Sequence, residues 1–515
     1  GGGTTRLVSP GWVIWGNEPD KFEAGTPAII NVIAFARALQ LTEHYGKDAF
    51  LNPVAKNLTA AEIIYNDELK DYSGREMLDK LRQTLIGKGS NVPTAEGNKP
   101  FHNLDNAAST PTFMPVWSTV CQTWHQKKET HQEIINEVKS ICAGVLGAPK
   151  AEYDLIFTSN TTEAINLAAE SLGRESGPEM EPVVVSTILE HTSNDLPWRM
   201  VPNVSVIRLS VDNEGIIDLN ELEKILGEYN QNNQHGKKRI RLIAISGASN
   251  VLGICNDLTE IGRIVHRYGA GLFIDGAQLA AHRKVDMEGC GIDYFAASAH
   301  KVYAPFGTGV LAVRKGLLKF KPSEIERINT SGEENAVGIA ALGKALLLLQ
   351  RIGMDLIKEE ENELTKRALI GLSNVPGLTI YGVKDPESPR FALKGGVIAF
   401  ILKGRMAPAV AKELAEKAGI GVRTGCHCAH ILVKHLVGVP PSFERFQWLI
   451  AKLFPGLKFP GIIRVSFGIE NTTEDIDKLI NALGKIACKS GTLPKTDIKR
   501  QMAEFITSAA KRVYA

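Results

Sequence analysis

Residues 293–313 read Asp-Tyr-Phe-Ala-Ala-Ser-Ala-His-Lys-Val-Tyr-Ala-Pro-Phe-Gly-Thr-Gly-Val-Leu-Ala-Val (DYFAASAHKVYAPFGTGVLAV). A short apolar run ends at Ser298, Lys301 stands three residues further on, and a Pro/Gly-rich turn leads into a second β-rich run from Gly309. Short runs of this kind, bounded by turn residues, read as buried strands. An amine at the end of a well-packed strand is a candidate Schiff-base nucleophile once its pKa is lowered.

Outward from this stretch, residues 101–315 alternate strands and helices: DLIFTS then TTEAINLAAESLG, PVVVST, RLIAIS then LTEIGRIVHRYG, and AGLFID. That alternation predicts an α/β fold with a mostly parallel sheet covered by helices on both faces. A helical region follows over 336–373, and a strand GGVIAFIL, a helix APAVAKELAEKAG, a strand GIIRVSF and a helix TEDIDKLINALGKIA predict a smaller C-terminal α/β domain. The expected division is an N-terminal extension with linker over 1–95, a large domain over 96–345, a small domain over 346–485 and an amphipathic helix over 486–515. The last is read from Ile498, Met502, Phe505 and Ile506 at helical spacing. Residues 87–100, GKGSNVPTAEGNKP, have the polar, Gly- and Pro-bearing composition of a linker.

Lys plus Arg (59) nearly balance Asp plus Glu (57), so the net charge of +2 gives no argument for a nucleic-acid or anionic-membrane partner. The odd count of seven cysteines, mostly in apolar contexts, predicts reduced thiols and a cytoplasmic protein. No run approaches the ~18 apolar residues of a membrane span.

In open α/β sheets, functional groups gather beyond the carboxyl ends of the strands. Here those ends deliver Asn160-Thr161-Thr162 at a helix start, Glu190-His191, Ser249-Asn250, Asp275 with Gln278, and Ser298-Ala299-His300-Lys301. Singly, each is also a cap, a turn former or a solvated side chain. Jointly they supply free N–H groups and hydroxyls for a phosphate, an imidazole to stack on a ring, a carboxylate for a protonated ring nitrogen and an amine for an aldehyde. That is the inventory of a pyridoxal 5'-phosphate site.

Residues 423–430, RTGCHCAH, concentrate two cysteines and two histidines. The Cys-x-Cys-x-His pattern offers three ligands with no complementary cluster elsewhere, which argues against zinc, and an extended two-residue offset holds two thiols apart. The third reading is a single nucleophilic cysteine, and the residues alone leave the three readings open.

The blocks LDNAAST (104–110), FTSNTTEAINLAAESL (157–172), EH (190–191), SNVLG (249–253), FIDGAQ (273–278), SAHKVYAPFGTGVL (298–311), VRTGCHCA (422–429) and RVSFG (464–468) resemble the class V aminotransferase superfamily. Within it they look most like the cysteine desulfurase and selenocysteine lyase branch. The resemblance implies a fold-type I transferase and assigns Lys301 to the Schiff base, Asp275 to the pyridinium nitrogen and His191 to ring stacking and proton transfers. Asn250 and Gln278 would contact the ring oxygen, and Thr161, Thr162, Ser298 and His300 the phosphate. Arg464, with Arg423 beside it, would bind the substrate carboxylate, and Cys428 would be the desulfurase nucleophile; Cys426 has no counterpart role. Implied partners are a small amino acid such as L-cysteine, a sulfur-acceptor protein and a second copy of the chain. The alternative activities are those of an aminotransferase, epimerase or other lyase without persulfide chemistry, or a non-catalytic scaffold of the same fold.

One departure stands out. Relatives carry a Gly-Thr-Pro-Asn loop that reaches the partner subunit's cofactor phosphate, whereas this chain reads Gly332-Glu333-Glu334-Asn335 there. Gly25-Thr26-Pro27 occurs instead near the N-terminus, in a segment that aligns with 332–346 at a constant offset: Gly25 with Gly332, Ala34 with Ala341, and Ala38-Leu39 with Ala345-Leu346. Residues 1–40 are therefore expected to derive from a second, truncated domain, with Thr26 near the phosphate.

Overall fold

The computed structural model describes residues 3–46, 57–175, 179–439 and 461–488. The chain begins with a hairpin, Thr5–Ser9 against Trp12–Trp15, followed by helix α1 (Ile29–Tyr45). The central sheet contains β1 (Tyr153–Thr158), β2 (Glu181–Thr187), β3 (Ser205–Leu209), β4 (Lys238–Ser246), β5 (Gly271–Asp275), β6 (Tyr294–Ser298) and β7 (Gly309–Arg314), ordered β1-β7-β6-β5-β4-β2-β3. Strands β2 to β6 pair in parallel, while β7 is antiparallel to both neighbours. Because β6 and β7 join through a short turn, β7 begins where β6 ends, with Gly309 opposite both Ser298 and Thr158.

Successive side chains of a strand face opposite sides of a sheet, and the two cores follow that alternation. Leu155, Phe157, Val183, Val185, Ile243 and Ile245 enter one core with α2 (Lys128–Leu146), whereas Ile156, Val184, Leu242, Ala244 and Phe273 enter the other with α3 (Thr161–Gly173). Each fully buried Val, Leu or Ile is worth ~1.5–3 kcal/mol, so the continuous apolar reading of these strands reflects burial on both faces. Helix α4 (Ala336–Ile352) lies in the first core, and Gly353, with φ of +93°, breaks the long helical region before α5 (Met354–Ser373).

The structure differs from the sequence reading of residues 58–100. Ile63, Ile64, Met77, Leu78 and Leu81, on two short helices, pack into the same core as α2 and α4. The linker-like stretch forms an antiparallel pair, Asn91–Thr94 with Gly97–Pro100, turned at Gly97 with φ of +96°. Its backbone hydrogen bonds go to each other and to Glu416, whose carbonyl accepts the Ala95 N–H, so a polar composition did not mean an unstructured segment.

A second sheet contains β8 (Leu378–Tyr381), β9 (Val397–Leu402), β10 (Arg423–Gly425) and β11 (Ile462–Ser466), antiparallel in the order β8-β9-β11-β10. Leu364 of α5, Leu414 of α6 (Ala407–Ala418) and Leu479 of the helix Thr473–Ala487 pack on its Phe400 and Ile463. The expected helix over 486–515 lies, from residue 489 on, outside the described residues. All seven cysteines are unpaired, and among the described residues no single helix is long and apolar enough to cross a membrane.

Candidate active site

The parallel strands end together, and their last residues open into a cavity of about 420 Å³. Its walls carry Asn160, Thr161, Thr162, His191, Asn250, Asp275, Gln278, Ser298, His300, Lys301, Arg423, Cys428 and Arg464. Every site residue named from the sequence thus faces this one space, together with Gly25, Thr26 and Pro27.

One end is built to receive an anion. Helix α3 starts here, capped by Asn160, whose Oδ1 accepts the Glu163 N–H at 3.0 Å. The Thr161 N–H donates to Ser298 Oγ at 2.7 Å, and the Thr161 and Ser298 hydroxyls lie 2.6 Å apart. Hydroxyls clustered on a helix N-terminus suit a phosphate through partial positive charge and free donors. His300 joins them as a neutral imidazole, burial having pulled its pKa down to about 3, and its Nδ1 has no hydrogen-bond partner.

The middle of the cavity holds the titratable pair. Lys301 follows β6 on a single 3-10 turn, and burial pulls its amine down to about 8, against the attraction of Asp275. Burial raises the Asp275 carboxyl, which the Lys301 charge opposes and the Ala277 N–H, at 3.0 Å, helps to hold ionised. A buried carboxylate costs several kcal/mol unless a cation faces it, so Asp275 favours a protonated nitrogen in the space beside it. His191 is held below its ordinary pKa by burial and then by the charges of Lys301 and Arg464. The Ser193 N–H donates to its Nδ1 at 3.2 Å, which places the proton of the neutral ring on Nε2.

Another part of the wall carries two arginines. Arg464 of β11 donates from Nη1 to the Asn250 carbonyl at 3.1 Å and from Nη2 to Asp105 at 2.6 Å, while its Nε is buried without a partner. Arg423 of β10 lies across the strand from Arg464 and reaches the other Asp105 oxygen at 3.5 Å. The two guanidiniums on adjacent strands thus share the Asp105 carboxylate.

Cys428 reaches the wall through a loop fixed at two points. The Thr192 N–H donates to the Cys428 carbonyl at 2.7 Å, and Asn250 Nδ2 donates to the His427 carbonyl at 2.8 Å. His427 and Cys428 both adopt left-handed backbone, with φ of 51° and 54°, strain of the kind found where a side chain is aimed by its surroundings. His427 is buried, and burial holds its imidazole neutral. Burial also pushes the Cys426 thiol up to about 11, which disfavours its thiolate.

Sequence reasoning missed Ser193, which links Thr162 Oγ1 at 2.8 Å to His191 Nδ1 at 3.0 Å. It gave Glu190, named only beside His191, no role; its carboxyl is pushed up to about 7 by burial and held by Thr187, Asn194 and Ser246. The role of Asp105 was missed outright. The hydroxyl two residues after His191 was a legible local signal for Ser193; Asp105 meets Arg464 across 359 positions and had none.

Residues 102–479 match the family model Aminotransferase class-V. Curated relatives include a probable cysteine desulfurase of Halalkalibacterium halodurans, 34% identical over 64% of this chain and 77% of that protein. A cysteine desulfurase of Enterobacter sp. strain 638 is 31% identical over 76% of this chain and 91% of its own length. Among solved structures, the apo cysteine desulfurase from Thermococcus onnurineus NA1 shares the fold with a TM-score of 0.64 at 24% identity, over 79% of this chain and 98% of that one.

Proposed function

The chain belongs to the class V aminotransferase family, and from that premise we propose that it is a pyridoxal-phosphate-dependent cysteine desulfurase. The observation that carries this reading is the meeting of Lys301, Asp275, His191, Arg464 and Cys428 on one cavity of about 420 Å³. The residues fit the cofactor: hydroxyls and a helix N-terminus for the phosphate, a buried carboxylate for a ring nitrogen, and an amine with a pKa of about 8 for the aldehyde. When bound, pyridoxal phosphate supplies an electron sink that lets an amino acid lose its Cα proton.

The chain's own groups then divide the work. Arg464, assisted by Arg423, grips the substrate carboxylate and fixes which end of the amino acid faces Lys301. Lys301 would hold and move the Cα proton at its amine. Neutral His191, with its proton on Nε2, would help hold the cofactor and donate or receive a proton at that atom. The Cys428 thiolate attacks the substrate sulfur, the carbon–sulfur bond breaks, and a sulfur–sulfur bond forms on Cys428. L-cysteine plus enzyme thiol becomes alanine plus enzyme persulfide, with no external oxidant required. The persulfide is then passed to an acceptor, and the chain works as a homodimer in the cytoplasm.

The test is direct. The purified protein should absorb near ~420 nm and lose that band in Lys301→Ala, since the band needs the lysine amine. Cys428→Ala should keep the band and stop alanine formation from L-cysteine; full alanine formation without Cys428 would remove persulfide chemistry from the reading.

A further inference from the structure

Residues 104–107 are held against β11 by main-chain contacts. The Ser466 N–H donates to the Leu104 carbonyl at 2.8 Å, Ser466 Oγ accepts the Ala107 N–H at 2.9 Å, and the Leu104 N–H donates to the Gly421 carbonyl at 2.9 Å. Asp105 lies between these anchors, bridged to Ser466, with its own N–H donating to Asn103 Oδ1 at 3.2 Å. The backbone therefore fixes its carboxylate beside β11, two residues along from Arg464.

That carboxylate meets two cations. Arg423 and Arg464 are direct cross-strand partners in the antiparallel pair β10 and β11, so they share a face of the sheet, where like charges repel. Among the described residues, Asp105 is the one carboxylate in ion-pair contact with either guanidinium. Only 2% of the Arg464 side chain is exposed, against 51% for Arg423, and a charge so buried needs a counter-ion that solvent does not supply. Asp105 itself is not on the cavity wall, whereas both arginines are. Elsewhere on that wall the ionisable groups largely cancel: Lys301 faces Asp275, and burial keeps His191, His300 and His427 neutral.

We propose that Asp105 determines substrate specificity by charge: it engages one of two guanidinium charges, leaves a surplus of one, and so selects amino acids whose α-carboxylate is their only anionic group. The inference rests on the reading of Arg464 and Arg423 as the contacts of the substrate carboxylate. One surplus charge matches L-cysteine in its thiol form and L-alanine. A second acid on the side chain would meet a guanidinium already engaged and the Asp105 charge beside it, and that repulsion discriminates as much as the attraction does.

The experiment measures binding and not turnover, by equilibrium dialysis of the protein loaded with pyridoxal phosphate against L-asparagine and L-aspartate, which are nearly the same shape and differ by one negative charge. The unaltered protein should hold L-asparagine more tightly. Asp105→Asn should shift the ratio of the two affinities toward L-aspartate by about tenfold or more, the scale of one unit charge near a protein surface. Adding Arg423→Gln to Asp105→Asn returns the surplus to one charge and should restore the preference for L-asparagine. A structural role alone would weaken both ligands together, and the second substitution would not undo it. An unchanged ratio in Asp105→Asn, or equal affinities in the unaltered protein, would overturn the proposal. Arg423→Gln alone covers the case in which Asp105→Asn does not fold. There the surplus falls to zero, the ratio should move further toward L-asparagine, and a ratio that stays put would overturn the proposal equally. If the unaltered protein binds neither of these amino acids nor L-alanine, the amino-acid reading of the cavity falls, and the inference with it.

Discussion

Helices α1 and α4 occupy aligned positions, Ile29–Tyr45 and Ala336–Ile352, with the same length and a constant offset in sequence, but they are held in opposite ways. Val32 is 61% exposed, whereas its counterpart Ile339 is fully buried. Lys344, the counterpart of Arg37, is buried with its ammonium on the Ile64 carbonyl and Asp67, both at 2.8 Å. Ahead of α1, Gly25-Thr26 turns toward the cavity; ahead of α4, Gly332-Glu333 turns away from it. The same pattern thus serves as a core element in one place and a covering element in the other. The difference lies in what surrounds each helix, because helical stability in proteins comes mainly from packing of a face and not from propensity.

Breaking α4 should cost most. Asp67→Ala removes the carboxylate shared by Lys344 and Arg351 and leaves a buried ammonium, so urea unfolding should show a loss of about 3–5 kcal/mol. In the unaltered chain, burial works against the Asp67 charge, but the hydrogen bond and charge of Lys344 and the charge of Arg351 hold its pKa below the usual value. The stability it contributes is therefore complete above the ordinary carboxylate pKa and lost as pH falls through the depressed folded value. Ile339→Ala should cost about 2–5 kcal/mol through the cavity it leaves, and the aligned Val32→Ala under about 0.5 kcal/mol. Equal losses at the two positions would erase the contrast between the helices.

The site offers a sharper, pH-based comparison. Lys301 is protonated below about pH 8 and reactive above it. Capture of pyridoxal phosphate by the cofactor-free protein should therefore rise with pH to a midpoint near 8, falling about tenfold per unit below it. The rate of absorbance growth after mixing measures this, and a flat profile from pH 6 to 9 would contradict the buried-amine account. A small effect is expected at Glu333→Thr, which breaks a partly exposed pair with Lys139. It should cost no more than about 1 kcal/mol of stability and leave cofactor affinity unchanged, because Glu333 is not on the cavity wall.

Much of this was legible in the sequence because the chemistry sits at strand ends, and the strands are short apolar runs whose ends are marked by Ser298, Asp275 and the Asn160-Thr161 pair. The covering of both sheet faces followed from the same runs. What was not legible depends on distance in sequence or on local exceptions to composition. Asp105 acquires its role only when β11 brings Arg464 beside it. The left-handed backbone at His427 and Cys428 is imposed by contacts with Thr192 and Asn250, and residues 91–100 pair as strands despite a linker's composition.

The central claim is that Cys428 accepts the sulfur of L-cysteine. The measurement that addresses it is mass analysis of the protein after a single turnover with L-cysteine, with alanine quantified in the same sample. The account predicts one added sulfur atom on the peptide containing Cys428, matched by an equal amount of alanine and absent in Cys428→Ala. Alanine without that added sulfur, or the sulfur found on Cys426 alone, would contradict it.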